Sequence, residues 1–455
     1  MMKRTWSSVH TGATGPSTEA VRGGAKALLL VLLITGRMRA GDDWPHWRGP
    51  QRSDVVRENS GWKDGHWVDP KPLWEAQVGE GSTSPLVVGG RLYVMGWDGG
   101  EDHVRCLEAG TGKPLWSVSY KCPQYGRHAT GDKDAYSGPT STPEYDADTG
   151  YLYALSCDGD LNCWDTAAGR RKIWGMNLYD RFHVEQRPAS KLEADDLRDY
   201  GYTTSPYVQG DWVIVEVGSR EGNIVALDKR TGELRWASEY RGPAGQTGGL
   251  TPTTVEGVPC LAVLTLRDLL VLRLDGGHEG RTVAAYPWVS AWADNVLTPA
   301  VDGDCILICS WHTHRSICKV KITLQGATRL WEQPYASFIG SPVIDGNRVY
   351  MTCDRLLCLG WETGKLVWAG GSFGYGGTCL VTADGKLIIW SNLGSMTLVA
   401  GVRESLGEYR QLAQVKHVFD GTEVWPHPAL VDGRLYVKDR KGNLKCFSQD
   451  KQSPE

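Results

Sequence analysis

Two histidines in the run WHTHR at residues 311–315 are the side chains whose spacing most directly suggests chemistry. If this run is extended, His312 and His314 point the same way, and such a pair can supply two ligands to a transition metal. No third ligand follows at a fixed spacing, and an exposed polar turn with ordinary hydrogen bonds explains the same residues. We therefore predict no metal site.

Trp292 and Asp294 lie on the loop just before the repeat unit whose turn carries this run. With Trp311 and Arg315 they would bring indole, guanidinium and carboxylate groups together, a set that suits a sugar, a peptide or a quinone equally well. No H-E-x-x-H, P-loop or C-x-x-C spacing occurs in the chain, and we identify no catalytic residue.

These residues lie on the loops of a unit that recurs along the chain. The unit is clearest at residues 84–116 (SPLVVGGRLYVMGWDGGEDHVRCLEAGTGKPLW). Its glycine turns and alternating apolar residues are typical of β-hairpins. Copies four and seven are less regular and end in AAYPW and LGEYRQL. The units open at Pro85, Pro143, Pro206, Pro252, Pro299, Pro342, Cys379 and Pro428.

Eight openings predict an all-β fold, an eight-bladed β-propeller with four-stranded antiparallel blades. The last copy, Pro428 to Phe447, has only three strands, whereas an unpaired fourth strand, Lys71 to Val78, precedes the first copy. We predict that this N-terminal strand closes the ring by pairing with residues near 444–447, because closure removes an exposed sheet edge. Trp74 should then pack as Trp116 does.

Four of the twelve cysteines occupy one repeat position, which Ala226 fills in the third copy. A position that accepts either alanine or cysteine favours a small buried side chain, so we predict free thiols there. Cross-strand disulfides between Cys157 and Cys163, or between Cys353 and Cys358, remain an alternative. The four repeat cysteines are Cys106, Cys163, Cys358 and Cys446.

The segments CLEAGTGKPLW, ALDKRTGELRW and CLGWETGKLVW resemble the repeat of the PQQ-like β-propeller family, and DWPHWRGPQR at residues 43–52 resembles the entry segment of its exported bacterial members. The family contains quinoprotein dehydrogenases and non-catalytic scaffolds such as BamB. The resemblance implies a propeller but does not choose between these functions. The family's dehydrogenases hold the cofactor with adjacent cysteines and a calcium site, and this chain has no adjacent cysteines.

We therefore predict a non-catalytic binding or scaffold protein without a cofactor, with a dehydrogenase dependent on PQQ and calcium, or a glycan-binding module, as alternatives. The expected binding surface is the face that carries the long connections Lys121 to Gly138 and Leu178 to Tyr202, because loops of such length are often functional. Its candidate residues are Tyr136, Tyr202, Trp292, Asp294, Trp311, His312, His314, Arg315 and Trp425.

The N-terminus predicts export to the periplasm or cell envelope. The apolar run Ala27 to Ile34 is too short to span a bilayer, and Ala40 is a plausible cleavage position. We divide the chain into a signal peptide (1–40, for which we expect translation from Val21), an entry segment (41–70), the propeller (71–450) and a tail (451–455). With a net charge of −4, we expect an envelope protein or a glycan as partner, no nucleic acid, no transmembrane helix in the mature chain, and a monomer.

Overall fold

Short strands separated by glycine turns build the molecule. The computed structural model describes residues 43–449, except 132, 134–135, 168–170, 185–198, 290–294, 313, 402–403, 405–406 and 422. The signal-peptide prediction and the candidates Trp292 and Asp294 lie outside the described residues. The described residues belong to one compact unit, Ala40–Glu455.

The strands group into eight sheets of four antiparallel strands, and each sheet is one blade. Blades one and two contain β2 (Leu86–Val88), β3 (Arg91–Asp98), β4 (Glu101–Glu108), β5 (Pro114–Lys121), β6 (Glu144–Asp146), β7 (Tyr151–Leu155), β8 (Asp160–Asp165) and β9 (Arg171–Asn177). Blades three and four contain β10 (Tyr207–Gln209), β11 (Trp212–Glu216), β12 (Ile224–Asp228), β13 (Leu234–Ala237), β14 (Thr251–Val255), β15 (Val258–Leu264), β16 (Asp268–Arg273) and β17 (Thr282–Pro287).

Blades five and six contain β18 (Ala300–Asp302), β19 (Cys305–Ser310), β20 (Ser316–Thr323), β21 (Gly326–Gln333), β22 (Val343–Asp345), β23 (Arg348–Thr352), β24 (Leu356–Gly360) and β25 (Leu366–Gly370). Blades seven and eight contain β26 (Gly377–Val381), β27 (Leu387–Ser391), β28 (Met396–Val399), β29 (Gln411–Val415), β30 (Ala429–Val431), β31 (Arg434–Lys438), β32 (Asn443–Ser448) and β1 (Trp74–Gln77). The eight-bladed propeller is confirmed. Helix α1 (Leu178–Phe182) follows blade two.

The ring closes as the sequence predicts. Strand β1 pairs antiparallel with β32, with Trp74 opposite Cys446 and Gln77 opposite Asn443. The ring of Trp74 lies 6.0 Å from that of Tyr436, and Trp116 has the same separation from Tyr93 within blade one. The equivalence of the two tryptophans is therefore confirmed.

The outer tryptophans also join each blade to the next. The indole N–H of Trp74 donates to Ala109 O at 3.0 Å, and its ring covers Gly112, where an added Cβ would lie 2.5 Å from the ring. Trp174 donates likewise to Lys229 O, and Trp331 donates to Trp361 O. The repeated T-G and Trp positions thus encode contacts between blades.

All twelve cysteines are free in the structure. The four at the repeated position are buried, and each lies opposite a tryptophan of the outer strand, as Cys106 lies opposite Trp116. The position requires a small side chain because the indole covers it from the neighbouring strand.

The entry segment lies within the ring of first strands. First strands of neighbouring blades contact one another, as β2 contacts β30. Trp44 bonds to Val87 through both backbone groups, and Val55 bridges to Val381. Residues 44–55 contact every blade, or the connection leading into it, through Val87, Tyr145, Tyr207, Gly249, Thr298, Pro342, Val381 and His427.

In the part of the chain that the structure describes, no helix is both long and apolar enough to cross a membrane.

Candidate functional site

The connections between blades and the turns between second and third strands lie on one face, which we call the long-loop face. Their backbones are hydrogen-bonded to each other: Tyr202 N donates to Cys157 O at 3.0 Å, and Phe373 N donates to Asp354 O at 2.8 Å. The turns therefore fix where the connections lie, and the sequence-based assignment of both to one face is consistent with these contacts.

Two of the candidate residues form the interior of the long connections. Tyr136 is 6% exposed, and its ring meets Tyr125 and Tyr200 edge to face at 5.5 and 5.0 Å. Tyr202 is fully buried and meets Tyr179 at 4.8 Å. Insertions of this length need a small core of their own, and these tyrosines supply it. Neither ring is available as a surface contact.

The two histidines do not form a pair. Strand β19 ends at Ser310 and β20 begins at Ser316, so the run between them is a turn, in which Arg315 has a φ of 50°. His314 stacks on Trp288 at 3.9 Å, whereas His312 meets Phe338 edge to face at 5.8 Å. The two imidazoles therefore pack against different aromatic rings. Among the described residues, no cluster of three or more potential ligands is suited to a metal.

A cavity of about 500 Å³ opens beside His314 and Arg315. Its polar lining is already paired: Glu332 accepts from Arg329 and from Ser316, both at 2.7 Å. Burial lowers the pKa of the His314 imidazole. The cavity therefore offers a neutral imidazole and an exposed guanidinium.

Trp425 lies on the connection between blades seven and eight. The Arg440 guanidinium lies 4.3 Å from its ring centre, and the indole N–H is buried without a partner. Burial lowers the pKa of Arg440, against the attraction of Glu423, which lies 3.7 Å from it. This stacked pair of Trp425 and Arg440 is partly exposed and lies on the long-loop face.

The most exposed apolar side chains of the long-loop face were not singled out from the sequence. Tyr375 is 62% exposed and Leu393 is 61% exposed. Phe338 lies 6.4 Å from Tyr375 and also contacts His312. We call these four residues the apolar arc; it extends across blades five to seven. Its sequence signal is a tyrosine between glycines, FGYGG at residues 373–377.

Two buried ion-pair networks hold the entry segment in the ring. Arg48 Nε lies 2.5 Å from Asp54 Oδ2, and His427 Nδ1 lies 3.2 Å from Asp54 Oδ1. Burial opposes ionisation of Asp54, but the charges of Arg48 and His427 hold its pKa below the ordinary value. Trp47, also in the entry segment, packs its ring against the imidazole of His427, with ring centres 4.2 Å apart.

The second network centres on Glu144 at the start of β6. Arg52 donates to its carboxylate, and His46 Nδ1 lies 3.1 Å from it. Burial opposes ionisation here too, yet Arg52 and His46 keep the pKa of Glu144 below its usual range. Arg48 and Arg52 are thus both neutralised by carboxylates of the chain itself.

Residues 100–370 match the model of a protein family described as outer membrane protein assembly factor BamB. Comparison with curated proteins gives no match.

Three solved structures illustrate the fold. BamB from Moraxella catarrhalis has a TM-score of 0.57 at 12% identity, over 83% of this chain and 99% of that one. A europium-containing methanol dehydrogenase has a TM-score of 0.62 at 14% identity, over 87% and 89%. A quinohemoprotein alcohol dehydrogenase from Comamonas testosteroni has 0.60 at 16%, over 91% and 82%. At these identities the likeness concerns the fold alone.

Proposed function

The chain belongs to the family of the outer membrane protein assembly factor BamB, and from that premise we propose that it is an exported, non-catalytic binding protein of the cell envelope. Its partner is another envelope protein, held on the long-loop face. Members of this family are associated with the envelope, and the fold itself suggests protein interactions. The proposal includes the absence of a bound cofactor.

The observation that carries the proposal is the entry segment inside the ring. Residues 44–55 fill the space among the first strands, and their charged side chains are paired and buried. A quinone with three carboxylates needs several cationic groups and a stacking surface. Arg48 and Arg52 already form ion pairs with Asp54 and Glu144. These arginines therefore do not fit the role of carboxylate-binding groups for a quinone.

Other aromatic and cationic side chains that could serve such a cofactor are engaged elsewhere. Trp97 donates its indole N–H to Cys122 O, and Trp390 is 1% exposed. Arg127 pairs with both Asp158 and Asp180. These contacts favour a binding protein over a dehydrogenase.

The apolar arc is the contact surface that we propose. Tyr375 and Leu393 are neighbours with most of their surface in water, and a contiguous exposed apolar patch is typical of an interaction site. Phe338 extends the surface around Tyr375, and the imidazole of His312 adds a polar group at its edge. A partner that buries this arc gains from each apolar side chain it covers.

Site-specific photo-crosslinking in the intact envelope tests this surface. A benzophenone amino acid at Tyr375 should give a discrete adduct with a second protein. The matched control is the same group at Leu330, which is 47% exposed on outer strand β21, and it should give none. Equal labelling at both positions, or at neither, would contradict the proposal.

A glycan is the second candidate partner, favoured by one observation. The exposed ring of Tyr375 and the partly exposed ring of Trp425 offer aromatic faces of the kind that sugars pack against. A glycan array distinguishes the two candidates: specific glycan binding that is lost in Tyr375→Ala would favour the glycan module over the protein partner.

A further inference from the structure

Two thiols from separate loops meet at the boundary between blades one and two. Cys122 directly follows β5, and Cys157 lies in the turn between β7 and β8. Both thiols donate to the same carbonyl oxygen, that of Pro123, with sulfur–oxygen distances of 3.5 and 3.7 Å.

The surrounding contacts fix both loops in this position. Arg127, on the first loop, bonds to both carboxylate oxygens of Asp158, at 3.0 to 3.2 Å. A Cβ added at Gly126 would lie 3.1 Å from Cys157 O, so the two backbones nearly touch. The carbonyl of Cys157 also accepts from Tyr202 N. The approach of the thiols therefore results from several independent contacts.

The repeat cysteines are placed differently. Cys163 lies in β8 opposite Trp174, and Cys106 lies in β4 opposite Trp116. Both are fully buried within their blades. Their position is explained by packing, whereas packing against tryptophan does not explain Cys122 or Cys157.

We propose that Cys122 and Cys157 form a disulfide that joins the connection after blade one to the second-to-third strand turn of blade two. The oxidant is a disulfide, either of a thiol–disulfide oxidoreductase or of glutathione. One thiolate attacks that disulfide and releases one thiolate of the oxidant. The second cysteine thiolate then displaces the other half and forms the Sγ–Sγ bond. The two cysteines lose two electrons and two protons, and the oxidant is reduced to two thiols.

The cross-link forms before the two blades close. Cys122 is 3% exposed and Cys157 is fully buried. The contact with Cys122, and then burial, raise the pKa of Cys157, so the reactive thiolate is scarce in the folded protein. Once made, the bond is shielded from reductants and holds the base of the Lys121 to Gly138 connection. This inference does not depend on the partner proposed above.

Peptide mapping without reduction tests the proposal on the full chain refolded in a mixture of reduced and oxidised glutathione. The expected product is one peptide pair joined through Cys122 and Cys157, lighter by two hydrogen atoms than the separate peptides. A reductant present during refolding should lower the Tm by about 4 °C.

Cys122→Ala and Cys157→Ala should each abolish this redox-dependent shift. The matched control is Cys163→Ala, in the same blade, because alanine already fills the equivalent position of blade three. It should retain both the linked peptide and the shift. The absence of the linked peptide in the wild-type protein, or a shift that persists in Cys122→Ala, would overturn the proposal.

Discussion

His427 Nδ1 lies 3.2 Å from Asp54 Oδ1, although 373 residues separate them in sequence. This contact joins the entry segment to the start of the last blade. The ring is thus closed twice, by β1 pairing with β32 at its outer edge and by the ion-pair network of Asp54 at its centre. The centre of this propeller is a core built by the chain itself.

The contact between Trp74 and Gly112 should be measurable as a coupling energy. Gly112→Ala places a methyl group within 2.5 Å of the indole, at a φ of 70°. We expect it to lower the free energy of unfolding by more than the ~1 to 2 kcal/mol that a left-handed residue costs. Gly210→Ala is the matched control, because Gly210 also has a positive φ but open space around its Cβ position.

Denaturant unfolding of Gly112→Ala, Trp74→Ala and the double variant gives this coupling energy through a double-mutant cycle. In the Trp74→Ala background, Gly112→Ala should cost no more than Gly210→Ala does. Additive effects would show that the indole does not cover this glycine.

Breaking the central ion pair should destabilise the fold strongly. Asp54→Asn leaves Arg48 buried without a counter-charge, which typically costs ~3 to 5 kcal/mol. Asp211→Asn removes an exposed partner of Arg230, with the two side chains 72% and 52% exposed, and should change the free energy of unfolding far less. Similar losses in the two variants would contradict a buried, paired Asp54.

The same carboxylates predict acid sensitivity. The pKa values of Asp54 and Glu144 are lower in the folded state than in the unfolded chain, so the unfolded state binds more protons. The contribution of these two carboxylates to the free energy of unfolding is therefore fully present above about pH 4 and is lost as the pH drops below that value. Urea unfolding from pH 6 to pH 2.5 should show this loss, with a smaller slope in Asp54→Asn.

Asp102 should change the free energy of unfolding with pH in the opposite direction. It is fully buried, and this burial raises its pKa to about 7. The folded state then holds a proton that the unfolded state releases, and stability falls as the pH rises from about 4 to 7. Asp102→Asn removes this dependence, and relative to it the wild-type protein should lose at most about 4 kcal/mol between pH 4 and pH 8.

The exposed residue Asp98 provides the control for this comparison. Asp98→Asn should leave the difference in unfolding free energy between pH 4 and pH 8 close to that of the wild type, because this side chain is solvated. A pH dependence in Asp102→Asn equal to that of the wild type would show that Asp102 is not the responsible group.

The mature protein should begin at Gly41. A start at Val21 would give VRGGAKALLLVLLITGRMRA, a signal peptide of ordinary shape. N-terminal sequencing of the protein purified from its native host tests this expectation. Finding Met1 or Met2 at the N-terminus would rule it out.

The contacts that repeat from blade to blade could be predicted because the residues that make them recur several times in the sequence. The prolines that open the blades, the glycine after Thr111 and the tryptophan at 116 recur with one spacing, and a repeat of spacing predicts a repeat of geometry. Blade seven shows the limit: its fourth strand is Gln411–Val415, which only overlaps the end of LGEYRQL.

Features that occur once were harder to predict. The entry segment was recognised, but its position inside the ring depends on partners such as His427 that lie hundreds of residues away. Tyr136 and Tyr202 were assigned to a binding surface because aromatic residues on long loops often bind ligands. Their burial arises from packing within the insertions, for which the sequence carries no periodic signal.

Calorimetric titration with PQQ and calcium tests most directly the claim that the chain fills its own axis and binds no cofactor there. We predict no heat of binding at micromolar protein, because Arg48 and Arg52 are already paired with Asp54 and Glu144. A saturable heat with sub-micromolar affinity would contradict the account and favour a quinoprotein dehydrogenase.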